Sequence, residues 1–230
     1  MLTAPPKRHT LLRLTDAGAG LVRANREALY PGEAAWADVW PRFRGLPVIT
    51  RRRVMPGEAV PVGLSLPIRR DGGRYRLVSH VPVNEVASAV LPTQAAELCA
   101  GQSLTVSGLV AELLRDAPSL GVSVGLFGSA ALEAVTGLPY RHAGSGLDVL
   151  LIPGDMPDLP ALAGLLQQME EDYQLSIDAE LALGGERYVK LKELCTGSRT
   201  VLVKGGQTPV LCSSRSVLES PRCCGTIKEK

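Results

Sequence analysis

The segment Leu147–Ile152 constrains the fold most strongly, because it is an apolar run with one acid, Asp148, inside it. A short apolar run of this kind predicts a buried strand. A buried carboxylate is costly unless it is paired, hydrogen-bonded or bound to a metal ion. Asp148 is therefore either a structural acid held by an arginine or a loop amide, or a group kept for chemistry. Because side chains alternate along a strand, Gly146 lies on the same face as Asp148.

A second apolar run with embedded acids, Leu175–Leu183, follows after one predicted helix, Pro160–Tyr173. Asp178 and Glu180 share one face of this predicted strand. If the two strands are neighbours in the sheet, Asp178 converges on Asp148. Taken alone, Asp178 or Glu180 is equally consistent with an exposed acid at the edge of a sheet.

A Gly-Ser pair, Gly128-Ser129, stands between a predicted strand, Ser123–Phe127, and a predicted helix, Ser129–Thr136. The free N–H groups and the dipole at a helix start attract phosphate. Such a pair is also a common helix cap, and that alternative stays open for Ser129. Together with paired acids on neighbouring strands, a phosphate-binding turn favours metal-assisted phosphoryl chemistry.

The remaining pattern predicts an α+β protein with a mixed sheet in its second half. Residues 1–118 form a smaller α+β unit, residues 119–212 a mixed sheet with flanking helices, and residues 213–230 a disordered or loosely docked tail. The predicted elements of the first unit are helices at Thr15–Leu29, Pro92–Ala100 and Ser107–Arg115, and strands at Pro47–Arg53, Ala59–Leu66, Ile68–Arg70 and Arg74–His80. Further strands of the second unit are predicted at Arg187–Leu194, Thr200–Lys204 and Val210–Leu211.

The charge balance argues against a general nucleic-acid binder, since 25 Lys and Arg face 23 Asp and Glu for a net charge of +2. Aromatic residues make up only 4% of the chain, which also argues against a base-stacking surface. No apolar run approaches the ~20 residues of a membrane helix, and the N-terminal segment lacks the core of a signal peptide. The five cysteines include no Cys-x-x-Cys pair, so we expect reduced thiols and a cytoplasmic protein.

Several basic residues are candidates for contacting phosphate groups, and Arg53 and Lys204 are the first choices among them. The others are Arg51, Arg52, Arg69, Arg70, Lys190 and Lys192. Each is also consistent with a solvated surface charge, which is the ordinary setting for such a side chain. His142, in the loop before Asp148, is either a substrate contact or an exposed loop histidine.

The order of these motifs resembles the family of malonate decarboxylase holo-acyl-carrier-protein synthases, also called phosphoribosyl-dephospho-CoA transferases. The resemblance rests on Gly128-Ser129 after a strand, followed by Glu133, Thr136-Gly137 and Ser145-x-Leu147-Asp148. It extends over about residues 8–211 and includes His9-Thr10-Leu11-Leu12, Arg52-Arg53, Val60-Pro61-Val62-Gly63 and Ile177-Asp178.

This resemblance implies a nucleotidyltransferase-like catalytic domain, preceded by a domain that binds substrate or carrier protein. The implied reaction moves the 2′-(5″-phosphoribosyl)-3′-dephospho-CoA group from triphosphoribosyl-dephospho-CoA to a serine of the acyl carrier protein subunit of malonate decarboxylase. Pyrophosphate leaves, and Mg²⁺ is the implied metal. The resemblance assigns catalysis and metal binding to Asp148 and Asp178, and phosphate binding to Gly128, Ser129, Arg53 and Lys204.

The chain departs from the family pattern at one position, because Ser-Asp-x-Asp is here Ser145-Gly146-Leu147-Asp148. Gly146 thus replaces an expected metal ligand, and a less constrained Mg²⁺ would lower activity. Three explanations are open: an inactivated variant, a natural homologue that only binds, and an enzyme in which Asp155 or Glu180 substitutes. Two other functions are open as well, a non-catalytic adaptor for the carrier protein and a nucleotidyltransferase that moves AMP.

Overall fold

The structure is a computed structural model of the protein, and it describes residues 6–39, 45–52, 59–205 and 208–219. Two six-stranded sheets follow one another along the chain, each with helices beside it. The predicted α+β class with flanking helices is confirmed. None of the described helices is long and apolar enough to cross a membrane.

The first sheet is antiparallel throughout. Its strands are β1 (Leu11–Leu14), β2 (Glu27–Tyr30), β3 (Val48–Thr50), β4 (Ala59–Arg70), β5 (Gly73–Pro82) and β6 (Val86–Val90). Their order across the sheet is β2-β5-β4-β3-β1-β6. Helices α1 (Asp16–Ala24) and α2 (Glu33–Val39) belong to this part of the chain.

Strands β4 and β5 form a long hairpin. The single strand β4 takes the place of the two shorter strands predicted at Ala59–Leu66 and Ile68–Arg70. Pro67 cannot donate to a strand ladder, and the register shifts between Ser65 and Arg69 so that β4 continues past it. The two strands of the hairpin are joined by a turn, with φ angles of 49° at Asp71 and 80° at Gly72. Two successive positive φ angles are the geometry of a tight two-residue hairpin loop.

The second sheet is mixed, as the sequence predicts. Its strands are β7 (Val122–Leu126), β8 (Leu147–Pro153), β9 (Ile177–Ala182), β10 (Arg187–Lys190), β11 (Thr200–Gly205) and β12 (Val210–Ser213). They lie in the order β12-β11-β10-β9-β8-β7. Strands β8 and β9 pair in parallel, whereas the other neighbouring pairs are antiparallel.

Helix α6 (Leu159–Tyr173) makes the connection that allows β8 and β9 to run in parallel. The Asp158 side chain caps its start by accepting a hydrogen bond from the Ala161 N–H at 3.0 Å. Gln174, in the left-handed conformation, ends it. This connection brings the two acid-bearing strands side by side.

The remaining α-helices are α3 (Pro92–Ala100), α4 (Ser107–Asp116), α5 (Gly128–Thr136), α7 (Leu191–Cys195) and α8 (Ser214–Glu219). Helices α3 and α4 contribute Ala96, Leu109 and Leu113 to the same core as β7, β8 and β9. A separate core lies on the first sheet and includes the fully buried Trp36. The predicted domain boundary at residue 118 stays a prediction. The structure packs α3 and α4, which precede that residue, into the core of the second sheet.

Three predicted elements differ from the structure. The helix predicted over Thr15–Leu29 ends at Ala24, because the chain then forms β2 and pairs with the edge of β5. The strand predicted over Arg187–Leu194 is replaced after Lys190 by α7, whose Leu191 and Leu194 are buried. The predicted tail begins with α8, which buries Val217, while residues 220–230 lie outside the described residues.

Candidate active site

The two acids that were predicted to converge lie directly opposite each other. Asp148 on β8 and Asp178 on β9 are register partners in the parallel pair. Neighbouring strands are about 4.8 Å apart, so paired side chains on one face are close together. Alternate residues of β8, Leu147 and Val149, point into the core, which leaves Asp148 on the opposite face of the sheet.

Asp148 has an electrostatic environment that is unfavourable for a negative charge. Burial, followed by the nearby charges of Asp178 and Glu180, raises the pKa of Asp148 to about 6. Within the described part of the chain, no side chain or backbone group donates a hydrogen bond to its carboxylate. Its neighbour Asp178 is satisfied, since the Lys190 Nζ donates to Asp178 Oδ2 at 2.9 Å. The charges of Arg141 and Lys190 oppose the rise in the pKa of Asp148 without offsetting it, so the fold compensates the charge of Asp148 only in part.

The Gly128-Ser129 pair forms the start of α5, beside Asp148. Phe127 is the N-cap residue, and no side chain caps the helix, so Ser129 does not serve as the cap. Gly128 has a φ angle of 67°, and a Cβ atom there would lie 1.9 Å from Asp148 Oδ2. Glycine is therefore required both by the backbone conformation and by the close approach of the carboxylate. The arrangement leaves the first-turn N–H groups available to an anion.

A cavity of about 290 Å³ joins this helix start to the first sheet. We call it the arginine-lined cavity. Its walls include Gly128, Ser129, His142, Ser145, Gly146 and Asp148 from the second half, and Ser65, Arg69, Arg74 and Arg76 from β4 and β5. The site thus lies between the two sheets, and the first sheet supplies its cations.

These three arginines form a cluster of like charges. Arg69 and Arg74 are register partners across β4 and β5, and Arg76 lies one alternate position further along β5. Burial, together with the charges of Arg76 and Arg69, lowers the pKa of Arg74. Like charges directly opposite each other destabilise a sheet. No acid forms a salt bridge with any of the three among the residues that the structure describes, although the charge of Asp148 favours the charged form of Arg74.

Tyr140 joins the loop before β8 to the first sheet. Its ring is buried, and its hydroxyl donates a hydrogen bond to the Ser65 carbonyl oxygen at 3.0 Å. The Arg74 guanidinium donates to the Tyr140 carbonyl oxygen and lies 5.6 Å from the centre of its ring. These contacts hold the arginine cluster against the loop that leads to Asp148.

Gly146 lies at the entrance to β8, where the chain passes close to the next strand. The Leu147 N–H donates to the Ser176 carbonyl oxygen at 2.8 Å. A Cβ atom at position 146 would lie 2.9 Å from that same oxygen, so a side chain there requires a small backbone shift. Arg141 holds the segment from the other side by donating to the Ser145 carbonyl oxygen at 3.1 Å.

Glu180 is engaged elsewhere, although it shares a face with Asp178. It is 5% exposed and lies 3.0 Å from His9 Nε2, 3.2 Å from Arg8 Nη1 and 3.6 Å from Lys204 Nζ. Burial opposes its charge, but the His9 hydrogen bond and the nearby cations outweigh burial and lower the pKa of Glu180 to about 2. Burial lowers the pKa of His9, and the hydrogen bond with Glu180 opposes this effect.

This cluster accounts for two residues that the sequence assigned to other roles. Lys204 pairs with Glu180 and does not line the arginine-lined cavity, so its phosphate-binding role stays a prediction. Glu180 is neutralised and is not a free substitute for an acid at position 146. Asp155 is exposed beyond the far end of β8, whereas Asp148 lies at its start.

Of the remaining predicted site residues, Arg53 lies outside the described residues. His142 does line the cavity, and its Nδ1 accepts a hydrogen bond from the Gly144 N–H at 3.2 Å. Arg74 and Arg76 were missed by the sequence interpretation. The available signal was the alternation of Arg74 and Arg76 with the buried Tyr75 and Leu77 on a hairpin strand.

The capacity for a metal ion rests on Asp148 and Asp178. No cluster of three or more His, Cys, Asp or Glu side chains suitable for a metal is found within residues 6–39, 45–52, 59–205 and 208–219. Mg²⁺ commonly uses only one or two carboxylates and completes its shell with water and substrate phosphates. The incompletely compensated charge of Asp148, paired in register with Asp178, fits such an ion.

The fold is of the α+β class, and the family models that match the chain are those of a transferase. Two family models match the chain: the phosphoribosyl-dephospho-CoA transferase MdcG N-terminal domain over residues 7–92 and its C-terminal domain over residues 92–215. The chain belongs to this family of transferases.

Curated relatives support the same assignment, and each bears the name phosphoribosyl-dephospho-CoA transferase. The protein of Xanthomonas euvesicatoria pv. vesicatoria is 32% identical over 203 residues, which cover 87% of this chain and 91% of the relative. The protein of Bradyrhizobium diazoefficiens is 31% identical over 211 residues, or 90% of each chain. That of Pseudomonas aeruginosa is 28% identical and covers 73% of this chain and 78% of the relative. No solved structure matches the chain.

Proposed function

We propose that this transferase moves the 2′-(5″-phosphoribosyl)-3′-dephospho-CoA group from its triphosphate precursor to a serine of the acyl carrier subunit of malonate decarboxylase. The observation that carries the proposal is the arginine-lined cavity. It combines Asp148 and the uncapped start of α5 with an arginine cluster that forms no salt bridge to a described acid. A triphosphate is the kind of ligand that such a set of cations and N–H groups binds.

The reaction is a substitution at the α-phosphorus of the triphosphate, the one attached to the ribose that carries the triphosphate. The serine Oγ forms a new bond to that phosphorus, and the bond to the bridging oxygen of the β-phosphate breaks. Pyrophosphate leaves with the electron pair of the broken bond. The serine proton passes to Asp178, which Lys190 holds in position through its 2.9 Å hydrogen bond.

The protein's own groups position and stabilise the phosphates. Gly128 and Ser129 place the first-turn N–H groups of α5 against the triphosphate. Arg69, Arg74 and Arg76 stabilise the charge that develops on the leaving pyrophosphate. Asp148 would hold Mg²⁺, which would supply further neutralisation of phosphate charge when bound and would leave Asp178 to accept the serine proton.

Gly146 weakens this machinery without removing it. A glycine offers no side-chain oxygen at the position where the family pattern has an acid. The backbone at position 146 also lies so close to the Ser176 carbonyl oxygen that a Cβ atom would be only 2.9 Å from it, a position that suits glycine. We therefore propose reduced rather than absent transfer, with Asp148 and Asp178 as the remaining carboxylate pair.

The test is a transfer assay that is read out by the intact mass of the carrier protein. The purified protein is incubated with triphosphoribosyl-dephospho-CoA, Mg²⁺ and the apo carrier subunit, and a parallel reaction contains ATP in place of the donor. A mass increase equal to the phosphoribosyl-dephospho-CoA group supports the proposal. An increase equal to AMP would identify an AMP transferase instead. Tight binding of the carrier without any mass change, independent of Mg²⁺, would identify an adaptor.

A further inference from the structure

A second and larger cavity lies beside the arginine-lined cavity. Its volume is about 550 Å³, which is within the range of small-molecule sites. We call it the apolar cavity, and its apolar wall includes Ala89, Leu91, Pro92, Leu150, Ile152 and Ala182. Leu91 and Ile152 are large hydrophobic side chains that are 49% and 36% exposed, so part of this wall is open to solvent.

The two cavities share one face of β8. Asp148, Leu150 and Ile152 are alternate residues on that face, and the first lines the arginine-lined cavity while the other two line the apolar cavity. Asp148 and Leu150 are two residues apart, or about 7 Å along the strand. The face therefore changes from charged to apolar within one short step.

The same face of strand β9 also changes from charged to apolar residues. Asp178 pairs with Asp148, Glu180 pairs with Leu150, and Ala182 then lines the apolar cavity. A ligand that lies along this face would place a charged group at one end and an apolar group at the other. The donor has such a form, because one of its two joined riboses carries the triphosphate and the other carries a diphosphate followed by the flexible pantetheine arm, which has two amides and a dimethyl carbon.

The charges around the apolar cavity match such an arm and its diphosphate. Lys7, Arg8 and Arg187 line the cavity together with one acid, Glu186, so cations outnumber acids on its wall. Thr10 also forms part of the wall, and its Oγ1 is buried without a hydrogen-bond partner in the described part of the chain. An amide of the arm is a suitable partner for an unsatisfied hydroxyl.

We infer that the apolar cavity binds the pantetheine arm of the dephospho-CoA portion, while the triphosphate occupies the arginine-lined cavity. This inference rests on the proposed function and specifies how its donor lies across the two cavities. Adenine is a poorer occupant, because Tyr188 is the one aromatic side chain that the described residues contribute to the wall, and its ring centre already lies 5.4 Å from that of His9.

Binding of two commercial probes, dephospho-CoA and ADP, tests the inference by isothermal titration calorimetry on the full chain. Dephospho-CoA is ADP with pantetheine attached to its terminal phosphate. The ratio of the two affinities therefore reports the contribution of the pantetheine arm. Ile152→Asp and Leu91→Asp place a charge in the cavity. Leu91 is the N-cap residue of α3, a position that favours Asp, so this variant should fold at least as well as the parent. Leu202→Asp is the matched control, because Leu202 is 38% exposed and lies outside the cavity.

We expect both cavity variants to bind dephospho-CoA about tenfold more weakly, with ADP affinity unchanged and Leu202→Asp within about twofold of the parent. Equal binding of dephospho-CoA by Ile152→Asp, Leu91→Asp and Leu202→Asp would overturn the inference. So would an equal loss of ADP affinity, which would place the adenosine in the cavity instead, or no binding of dephospho-CoA by the parent protein.

The transfer assay separates this inference from the proposed function. If the parent protein transfers nothing but binds dephospho-CoA through the cavity, the function fails and the site stands. If transfer proceeds and its KM for the donor is unchanged in both cavity variants, the function stands and the site fails.

Discussion

Asp148 and Glu180 lie on the same face of neighbouring strands, yet they meet opposite surroundings. Glu180 is enclosed by Arg8, His9 and Lys204, and its pKa falls to about 2. Asp148 is also partly buried, but burial and the charges of Asp178 and Glu180 outweigh those of Arg141 and Lys190, and its pKa rises to about 6. Basic side chains within the fold balance the charge of Glu180, whereas no described side chain forms a salt bridge with Asp148. The difference teaches that burial alone does not distinguish a structural acid from a functional one, whereas its partners do.

Removal of the Asp148 carboxylate should produce the largest effect. We expect Asp148→Asn to reduce transfer to the carrier protein by about 1000-fold, because it removes the one acid that the described residues contribute to the arginine-lined cavity. The measurement is the rate of mass increase of the carrier protein. Asp155→Asn is the control, since Asp155 is exposed beyond the far end of β8, and it should retain full activity. Comparable losses in the two variants would contradict the contrast.

Removal of the Glu180 charge should act on stability instead. We expect Glu180→Gln to lower the free energy of unfolding by roughly 2–4 kcal/mol, because three basic side chains lose their shared acid. Urea unfolding measures this change. The activity per folded molecule should remain within about tenfold of the parent at low temperature. A variant of full stability would show that Glu180 is no structural centre.

The pH dependence of stability should have opposite signs at the two acids. The pKa of Asp148 is raised, so its ionised form opposes folding, and that cost appears as the pH rises from about 4 to 6. Asp148→Asn should therefore be more stable than the parent by about 1–2 kcal/mol at pH 7.5 and equal to it near pH 4. The pKa of Glu180 is lowered, so its stabilisation is present above about pH 4.5 and is lost as the pH falls towards 2. Thermal melts across this range would reveal whether the two acids titrate in these opposite ways.

The arginine cluster offers a smaller test of the same contrast. Arg76 is exposed, lines the cavity and has no acid partner among the described residues. Arg76→Gln should weaken donor binding about tenfold and leave stability unchanged or slightly higher, because it relieves repulsion within the cluster. The loss should shrink as salt is added. Arg13→Gln, an exposed position of the same sheet outside the cavity, serves as the control, and an equal loss there would assign the effect to net charge.

Restoration of an acid at position 146 should have the smallest effect. We expect Gly146→Asp to raise transfer several-fold over the parent, since a second carboxylate would constrain Mg²⁺ beside Asp148. The Ser176 carbonyl oxygen sets a steric cost for any side chain there. Gly146→Ala measures that cost without adding a ligand. If both variants lose activity equally while folding and donor binding are intact, the missing-ligand interpretation fails.

The sequence was sufficient to predict the strands that carry the acids. Apolar runs around Asp148 and Asp178 fixed β8 and β9, and the helix between them made parallel pairing the natural connection. The Gly-Ser turn was recognised from composition at a strand end. In contrast, the helix predicted over Thr15–Leu29 was wrong in its last third, because pairing of β2 with β5 overrode local helical spacing.

The sequence was insufficient for the cations. Arg74 and Arg76 could be assigned to one face of a hairpin strand, but which face meets the site depends on how the two sheets pack. Lys204 was predicted to contact phosphate, whereas the fold places it beside Glu180. Nothing in the local sequence distinguishes these two outcomes for a basic residue on a strand.

The sequence by itself determined that an apolar strand would contain a costly acid beside a phosphate-binding turn, because burial and strand alternation are local properties. Only the tertiary structure decided which acid remained incompletely compensated. The partners of Glu180 come from the N-terminal segment and from β11, and His9 is separated from it by 171 residues. Coulomb interactions depend on distance in space rather than along the chain, so the same two carboxylates acquire opposite roles only after the sheets have assembled.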